Sequence, residues 1–312
     1  MKKKLNKVIS LTFIYLVILS LFTTYVLLDT FVIQRAYQVV SNTNSANVID
    51  TSQQIATSFD AETVFSDEVI STETAYVDAN IRITITTYRQ YDTNIYVADI
   101  YLSGIQYLST ALANNTYGRN ITAKTSEIAE DNDAILAING DYYGAQTKGY
   151  VIRNGVIYRS AASDASTEDL VIYTDGTMDI VTEGSTTAEE LLADGAWQVL
   201  SFGPGLIDDG TITVSTSDEV DKAMTDNPRT AIGMIDTLHY VMVVSDGRTD
   251  ESTGLTLYEL ATFMQSLGVT TAYNLDGGGS STMYFNGNII NNPTTTGETI
   301  SERSVSDIVY IG

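Results

Sequence analysis

The sequence predicts an α+β fold, a mainly antiparallel or mixed sheet with a few packed helices, preceded by one N-terminal transmembrane helix. Val8 to Leu28 carries no charge and, at about 1.5 Å per residue, is long enough to cross a bilayer core. From Tyr76 onward, short apolar runs with period-two alternation are separated by Asn-Gly and Asp-Gly turns, the pattern of hairpins. Helical periodicity is confined to a few short stretches. The chain therefore divides into residues 1–33, a cytoplasmic tip and membrane anchor; residues 34–75, a polar spacer; and residues 76–312, the folded domain.

Lys2, Lys3, Lys4 and Lys7 precede the apolar stretch, which places the N-terminus in the cytoplasm and the remainder outside. The flank Leu27-Leu28-Asp29-Thr30-Phe31-Val32-Ile33 lacks the small-x-small pattern of a signal cleavage site, so an uncleaved single-pass anchor at the cell membrane is expected. Residues 34–75 are rich in Ser, Thr, Asn, Asp, Glu and Ala without a period, with some helical character near Phe31 to Val40.

Ile81 to Thr86 and Asn94 to Leu102 alternate as half-buried strands. Ile105 to Ala113 fits a short helix or a loop. Thr122 to Asn132 reads as a helix delivering the chain into a strand at Ala134 to Ile138. Val151 to Tyr158 is a hairpin through Asn154-Gly155, and Leu170 to Val181 a second through Asp175-Gly176. Thr187 to Leu192 is a short helix and Gln198 to Phe202 a strand. Ala231 to Ile235 and Leu238 to Ser245 pair across Asp236-Thr237. Thr256 and Glu259 form a capping box. It opens a helix with Leu257, Leu260, Ala261, Met264 and Leu267 on one face, and Gly268 sits at the C-terminal stop. Val269 to Leu275 is a buried strand, followed by Thr282 to Phe285.

With 312 residues, 44% of them hydrophobic, the chain can bury a sizeable core. It has no cysteine, which excludes disulfides, a thiolate metal site and a cysteine nucleophile. The net charge is −23, and the four N-terminal lysines precede the first acidic residue, Asp29, so the outer part is more acidic still. Such a surface repels nucleic acid and anionic lipid. An anionic substrate must be held by local positive groups against that field.

The chemistry gathers just past the apolar strands. Asn139 and Asp141 follow Ala134–Ile138, Asp246 and Arg248 follow Tyr240–Val244, and Asn274 and Asp276 close Val269–Leu275. If these strands lie side by side, their polar ends converge at one edge of a sheet, with Arg229 and Arg303 supplying matching charge. Gly277, Gly278 and Gly279, followed by Ser280, form a turn that is entropically costly to order. Such a turn makes sense where backbone approaches something closely or N–H groups converge on an anion.

The segment Asn274-Leu275-Asp276-Gly277-Gly278-Gly279-Ser280-Ser281 resembles the phosphodiester glycosidase family. So do Ala137-Ile138-Asn139-Gly140-Asp141-Tyr142-Tyr143, Pro228-Arg229-Thr230-Ala231-Ile232-Gly233 and Val244-Ser245-Asp246-Gly247-Arg248, in the family's order. The resemblance implies that residues 76–312 are a catalytic domain cleaving sugar-1-phosphodiester linkages, with a cell-envelope glycopolymer or exopolysaccharide as the expected substrate. Glycosidic cleavage needs a carboxylate at the anomeric carbon, and a phosphate leaving group shifts the demand from an acid to cationic and N–H donors. On that basis Asp276 is the principal carboxylate, with Asp141 or Asp246 as its partner. Arg229 and the Gly277–Ser280 backbone hold phosphate, with Arg303 as a second candidate and Arg248 nearby. Asn139 and Asn274 orient sugar hydroxyls.

Other readings stay open at this level. No cofactor is assigned, yet Asp141, Asp246 and Asp276 would suit Ca²⁺ or Mg²⁺, making the protein a metal-dependent phosphodiesterase or a glycosidase that uses the metal to hold phosphate. A non-catalytic surface module that binds anionic glycan is a further class. A Ser280–His–Asp triad would have to use His239, the one histidine, which sits in an apolar strand run.

Overall fold

The computed structural model describes residues 2–40, 55, 57–60, 64–220 and 226–312, with side chains described from residue 11. Elements are numbered in chain order. Helix α1 (Lys2–Phe31) contains a 21-residue apolar stretch, Leu11–Phe31, that is exposed along most of its length and is long and apolar enough to cross a membrane. It ends where the N–H groups of Val32 and Ile33 both turn back to the Leu28 carbonyl, at 2.9 and 2.8 Å. The chain then enters strand β1 (Arg35–Val39), antiparallel to β7 (Thr116–Arg119). Strand pairing thus replaces the helical character expected near Phe31 to Val40. Much of the expected spacer, residues 41–54 and 61–63, lies outside the described residues.

The largest sheet has nine strands in the order β15 (Thr211–Ile212), β14 (Gly205–Asp208), β18 (Thr271–Asn274), β16 (Thr230–Asp236), β17 (His239–Ser245), β5 (Thr93–Leu102), β4 (Ile81–Gln90), β3 (Ala75–Val77) and β2 (Ile70–Ser71). Each strand pairs antiparallel with its neighbours in this order. Alternate side chains go to opposite faces. Ile83, Ile100, Ile232, Met242 and Tyr273 face a core shared with Leu136, Ile138, Leu170, Trp197 and Val309 of the other sheets. Val97, Ala231, Val241, Val243 and Ala272 face helix α4 (Leu257–Ser266). That helix starts at Thr256 with the capping box read from the sequence, and buries Leu257, Leu260, Ala261, Phe263 and Met264. At roughly 2 kcal/mol per buried apolar side chain, this face contributes on the order of 10 kcal/mol of gross transfer free energy.

Two five-stranded sheets complete the domain. One runs β10 (Val156–Arg159), β9 (Val151–Arg153), β13 (Ala196–Leu200), β11 (Glu168–Tyr173), β12 (Met178–Thr182), and packs against helix α3 (Ala188–Ala193). The other runs β20 (Asn288–Ile289), β19 (Met283–Phe285), β8 (Leu136–Asn139), β21 (Asp307–Ile311), β6 (Leu108–Leu112), and packs against helix α2 (Thr125–Asp131). The fold is α+β with antiparallel sheets, as expected. The region Ile105 to Ala113 is neither helix nor loop throughout: a single turn at Ile105–Tyr107 leads into β6, which pairs with β21 from Leu108↔Ile311 to Leu112↔Asp307.

The three motif-bearing strands do not share one sheet. β18, β16 and β17 are neighbours in the large sheet, whereas β8 belongs to the β19–β8–β21 sheet. A short apolar run fits any sheet, and partner choice is set by distant segments.

Candidate active site

The ends of β8 and β18 meet where these two sheets abut. The Asp276 N–H donates to the Gly140 carbonyl at 3.3 Å. Asn139 Nδ2 donates to the Asp276 carbonyl (2.6 Å) and the Gly140 carbonyl (3.3 Å), while its Oδ1 accepts from Thr230 Oγ1 (2.8 Å) and the Thr282 N–H (3.2 Å). Those bonds exhaust the capacity of an amide. Asn139 is therefore a strut that fixes the backbone of Asp276.

The triple-glycine turn admits a different neighbour at each position. A Cβ at Gly277 would lie 2.9 Å from the Pro228 carbonyl, one at Gly278 2.9 Å from Arg248 Nη2, and one at Gly279 2.3 Å from Thr295 Oγ1. Gly278 also has φ +60°, a conformation that glycine adopts without strain. The turn is thus a socket into which Arg229's segment, Arg248 and Thr295 press.

The Asp276 carboxylate accepts on Oδ2 from Ser280 Oγ at 2.5 Å and from Arg303 Nη2 at 3.0 Å. Arg303 also donates from Nε to Ser280 Oγ (2.9 Å) and from Nη2 to the Gly277 carbonyl (3.2 Å). Burial raises the Asp276 pKa, Arg303 and Ser280 pull it back, and nearby Asp141 pushes it up again.

Three guanidinium groups ring this carboxylate's turn. Arg229 donates from Nε to the Leu255 carbonyl (2.8 Å) and pairs with Glu219 (2.5 Å). Arg248 donates from Nη1 to the Thr295 carbonyl (2.6 Å) and from Nη2 to Asn227 Oδ1 (2.9 Å), while its Nε is buried without a hydrogen-bond partner among the described residues. The Arg248 pKa is lowered by burial and then by Arg303 and Arg229. Cations held together against their own repulsion prepare a place for an anion.

Asp276 and Arg303 line three cavities. One of about 280 Å³ includes Asp141, Tyr142 and Ser280; one of about 170 Å³ includes Arg229, Arg248, Asn274, Gly277 and Gly278; one of about 500 Å³ includes Tyr142, Lys148, Ser201 and Phe202. Asn274 donates to the Gly203 carbonyl (2.8 Å), and its Oδ1 is buried with no partner among the described residues. Asp246 lines none of the three. It is a loop tie, accepting from the Asn292 N–H (2.7 Å), Asn292 Nδ2 (3.0 Å) and Tyr96 OH (3.1 Å). His239 is hydrogen-bonded to Asp99 at 2.8 Å and stacked on Tyr101, whereas Ser280 is engaged by Asp276 and Arg303, so no Ser–His pair forms. Among the described residues no three acids or histidines come together as a cation site.

A family profile described as phosphodiester glycosidase matches residues 132–312, more than half of the chain. The chain belongs to the phosphodiester glycosidase family. All the motif residues above, from Asn139 to Arg303, lie inside the matched family domain. The Bacillus subtilis SPbeta prophage-derived uncharacterized protein YomE is 31% identical over 188 residues, covering 59% of this chain and 29% of that protein. Mouse N-acetylglucosamine-1-phosphodiester alpha-N-acetylglucosaminidase is 31% identical over 176 residues, 51% of this chain and 33% of the mouse protein. The human enzyme is 30% identical over 189 residues, 55% and 36%. The chain thus spans about a third of the length of these relatives. Among solved structures, the zebrafish N-acetylglucosamine-1-phosphodiester alpha-N-acetylglucosaminidase catalytic domain, auto-inhibited by its pro-peptide, shares the fold with a TM-score of 0.59 at 19% identity, covering 89% of this chain and 95% of that one. A Synechocystis protein does so with a TM-score of 0.53 at 16% identity, covering 79% and 64%.

This phosphodiester glycosidase domain also contains charged residues that the sequence motifs did not reveal. Arg153 on β9 donates from Nε and Nη2 to Asp307 Oδ2 (3.0 and 2.8 Å), from Nη2 to Asp141 Oδ2 (2.8 Å) and from Nη1 to the Val199 carbonyl. Asp141 further accepts from the N–H groups of Tyr143 and Ser201, each at 2.9 Å. Burial works against the Arg153 cation, but Asp141 and Asp307 hold its pKa above the ordinary value. Burial, and then Asp141, push Asp307 up. The available signal was a charged residue in an inward-facing stretch, Val151-Ile152-Arg153. Beside this group lies Asp169, whose two carboxylate oxygens are buried without hydrogen-bond partners among the described residues. Burial pushes its pKa up to about 8.

A raised carboxyl pKa in the folded state means that the fold binds a proton the unfolded chain has released. Stability from Asp169 is therefore full below the ordinary carboxylate pKa of about 4 and falls as pH rises towards about 8. Each unit is worth about 1.4 kcal/mol. Asp169→Asn is expected to flatten this slope and to raise Tm at pH 8 while leaving it little changed at pH 4, read by thermal unfolding at both values.

Proposed function

We propose that the protein is a membrane-anchored, extracytoplasmic hydrolase that cleaves sugar-1-phosphodiester linkages, with a cell-envelope glycopolymer or exopolysaccharide as substrate. The observation that carries this reading is the half-buried Asp276 carboxylate bonded to Arg303 and Ser280, beside a glycine turn ringed by Arg229 and Arg248. Family membership supports the reaction class.

In this reading Asp276 stabilises or attacks the anomeric carbon, the bond from C1 to the phosphate oxygen breaks, and its electron pair leaves with the phosphate; water then bonds to C1, displacing Asp276 where that carboxylate has attacked, and gives up its proton to solvent. Arg303 and Arg248 hold that phosphate. Arg229, partnered by Glu219, shapes the wall behind them. The N–H groups of Gly278 and Ser280 are taken by Pro228 and Gly277 carbonyls, which leaves Gly277 and Gly279 as the turn's donors. The unpartnered Asn274 Oδ1 accepts from a sugar hydroxyl. Asp141, bonded to Arg153, adds negative potential at the cavity wall and positions the loop after β8.

The test is to incubate the full chain in detergent with UDP-GlcNAc and with a GlcNAc-1-phosphodiester and to measure free GlcNAc. Release that requires added Ca²⁺ or Mg²⁺ favours a metal-dependent enzyme. Saturable polymer binding with no release favours a non-catalytic glycan-binding module. Arg303→Gln is expected to lower kcat/KM by about 10²- to 10³-fold, the usual loss for one donor to a developing oxyanion. Asp276 must be ionised to act, so activity falls as pH falls through its raised pKa. Losing Arg303 raises that pKa further, and the acid limb of the pH–rate profile should move to higher pH in the variant.

A further inference from the structure

The apolar helix ends inside the site's own wall. Thr30 and Phe31, the last turn of the membrane-length stretch, line the 280 Å³ cavity together with Asp141, Asp276, Ser280 and Arg303. This closeness is built in. Asn120, directly after β7, donates from Nδ2 to the carbonyls of Thr30 (3.2 Å) and Ile33 (3.1 Å), closing the helix end onto the domain. β1 then pairs with β7, and Val40 N–H donates to the Asn115 carbonyl at 2.8 Å. A Cβ at Gly118 would come within 2.2 Å of the Arg35 carbonyl, so this approach depends on glycine. Tyr37 meets Tyr117, which stacks on Tyr143 beside the cavity. Phe31, Val32, Tyr37 and Val39 stay exposed around this junction.

A helix that crosses a bilayer places its last apolar turn at the level of the lipid headgroups. A cavity lined by that turn opens at the same level. From this geometry we infer that the cleft faces the bilayer surface and that the substrate is a sugar joined through phosphate to a membrane-embedded lipid. This inference rests on the hydrolase and anchor readings above. The lipid tail stays in the bilayer, the phosphate sits at headgroup height against Arg303, and the sugar extends into the cleft. The strongly acidic exterior would repel an anionic lipid substrate at long range, and the fixed junction overcomes this by holding the site at the surface.

The experiment uses the full chain in phosphatidylcholine vesicles. One probe is a GlcNAc-1-phosphodiester of a long-chain alcohol embedded in the vesicles, the other the methyl phosphodiester in solution. The embedded probe should be cleaved at least about tenfold faster at equal bulk concentration. Membrane tethering alone would give some preference, so a variant is compared that has a Gly/Ser spacer of ten residues between Ile33 and Gln34 and Asn120→Ala, which releases Thr30 and Ile33. It should lose most of the preference, read as the ratio of embedded to soluble turnover, so that any effect of moving the Thr30–Phe31 wall on both probes cancels. Equal preference in the spacer variant overturns the inference. A second measurement is independent of turnover. The chain lacks cysteine, so Tyr142→Cys gives a single fluorescent label at the cleft. Quenching of that label by headgroup-nitroxide lipid is expected, and its absence overturns the placement. Quenching with no sugar released from either probe overturns the hydrolase reading, and the substrate assignment with it, while the orientation of the cleft stands.

Discussion

Asp276→Asn is expected to abolish sugar release, with kcat lowered at least about 10³-fold, while the domain stays folded. The amide keeps the shape of the carboxylate and can still accept from Ser280 Oγ, so the turn and its socket persist. In the proposed mechanism, what is lost is the negative charge at the anomeric carbon, which would carry much of the barrier reduction in glycosidic cleavage. The stability effect has a predictable sign. Burial raises the Asp276 pKa, so its ionised form is disfavoured in the fold relative to the unfolded chain. Removing the charge should leave Tm unchanged or slightly higher at pH 7, the trade between activity and stability found where charges are buried for function. Turnover near that of the parent would remove Asp276 from the chemistry. A large drop in Tm would make it a structural residue instead.

The second large effect is on the fold. Arg153→Met should destabilise the domain by about 3–5 kcal/mol, the range found when one partner of a buried ion pair is removed. For a domain of this size that lowers Tm by about 10 °C. Arg153 holds Asp307 at the start of β21 and Asp141 after β8, and reaches the Val199 carbonyl on β13, so a single guanidinium joins the two five-stranded sheets. Without it, two carboxylates remain buried with no counterion. The loss should shrink at low pH, where Asp307 takes up a proton readily because its pKa is already raised. The double variant Arg153→Met/Asp307→Asn should recover part of the lost Tm. Thermal and denaturant unfolding at pH 5 and pH 8 measure both effects, and a penalty equal at the two values would contradict this account.

The contrast between Asp276 and Arg153 shows what was legible in the amino-acid pattern. Asp276, Asn274 and the three glycines sit in consecutive positions, where an apolar strand stops and chemistry starts, so local pattern alone pointed at them. Arg229 and Arg303, read as matching charge, lie at that turn, and Arg248 joins them there. Asp246 had the same local look, yet it ties down Asn292 and Tyr96 and lines none of the cleft's cavities. An Asp-Gly pair after a strand serves a turn as well as a site. Asn139 does lie beside Asp276, but its amide is spent on three backbone groups and the Thr230 hydroxyl. Arg153 was invisible for a different reason. Its partners lie 12 and 154 residues away, and period-two alternation says which way a side chain points but not whether an opposite charge waits there. The joining of β8 to a different sheet from β18 was hidden likewise, because the three apolar residues Leu136 to Ile138 carry no record of their partners.

The place of β21 has a consequence for how the protein is made. It lies between β8 and β6 in the interior of its sheet and carries Asp307, the partner of Arg153. Among the described strands, residues 307–311 are translated last, so neither the sheet nor the pocket's buried ion cluster can close until they arrive. A chain cut before them would carry open edges on β8 and β6 and an Arg153 short of one carboxylate, so ribosome-bound chains of that length should be digested readily by protease.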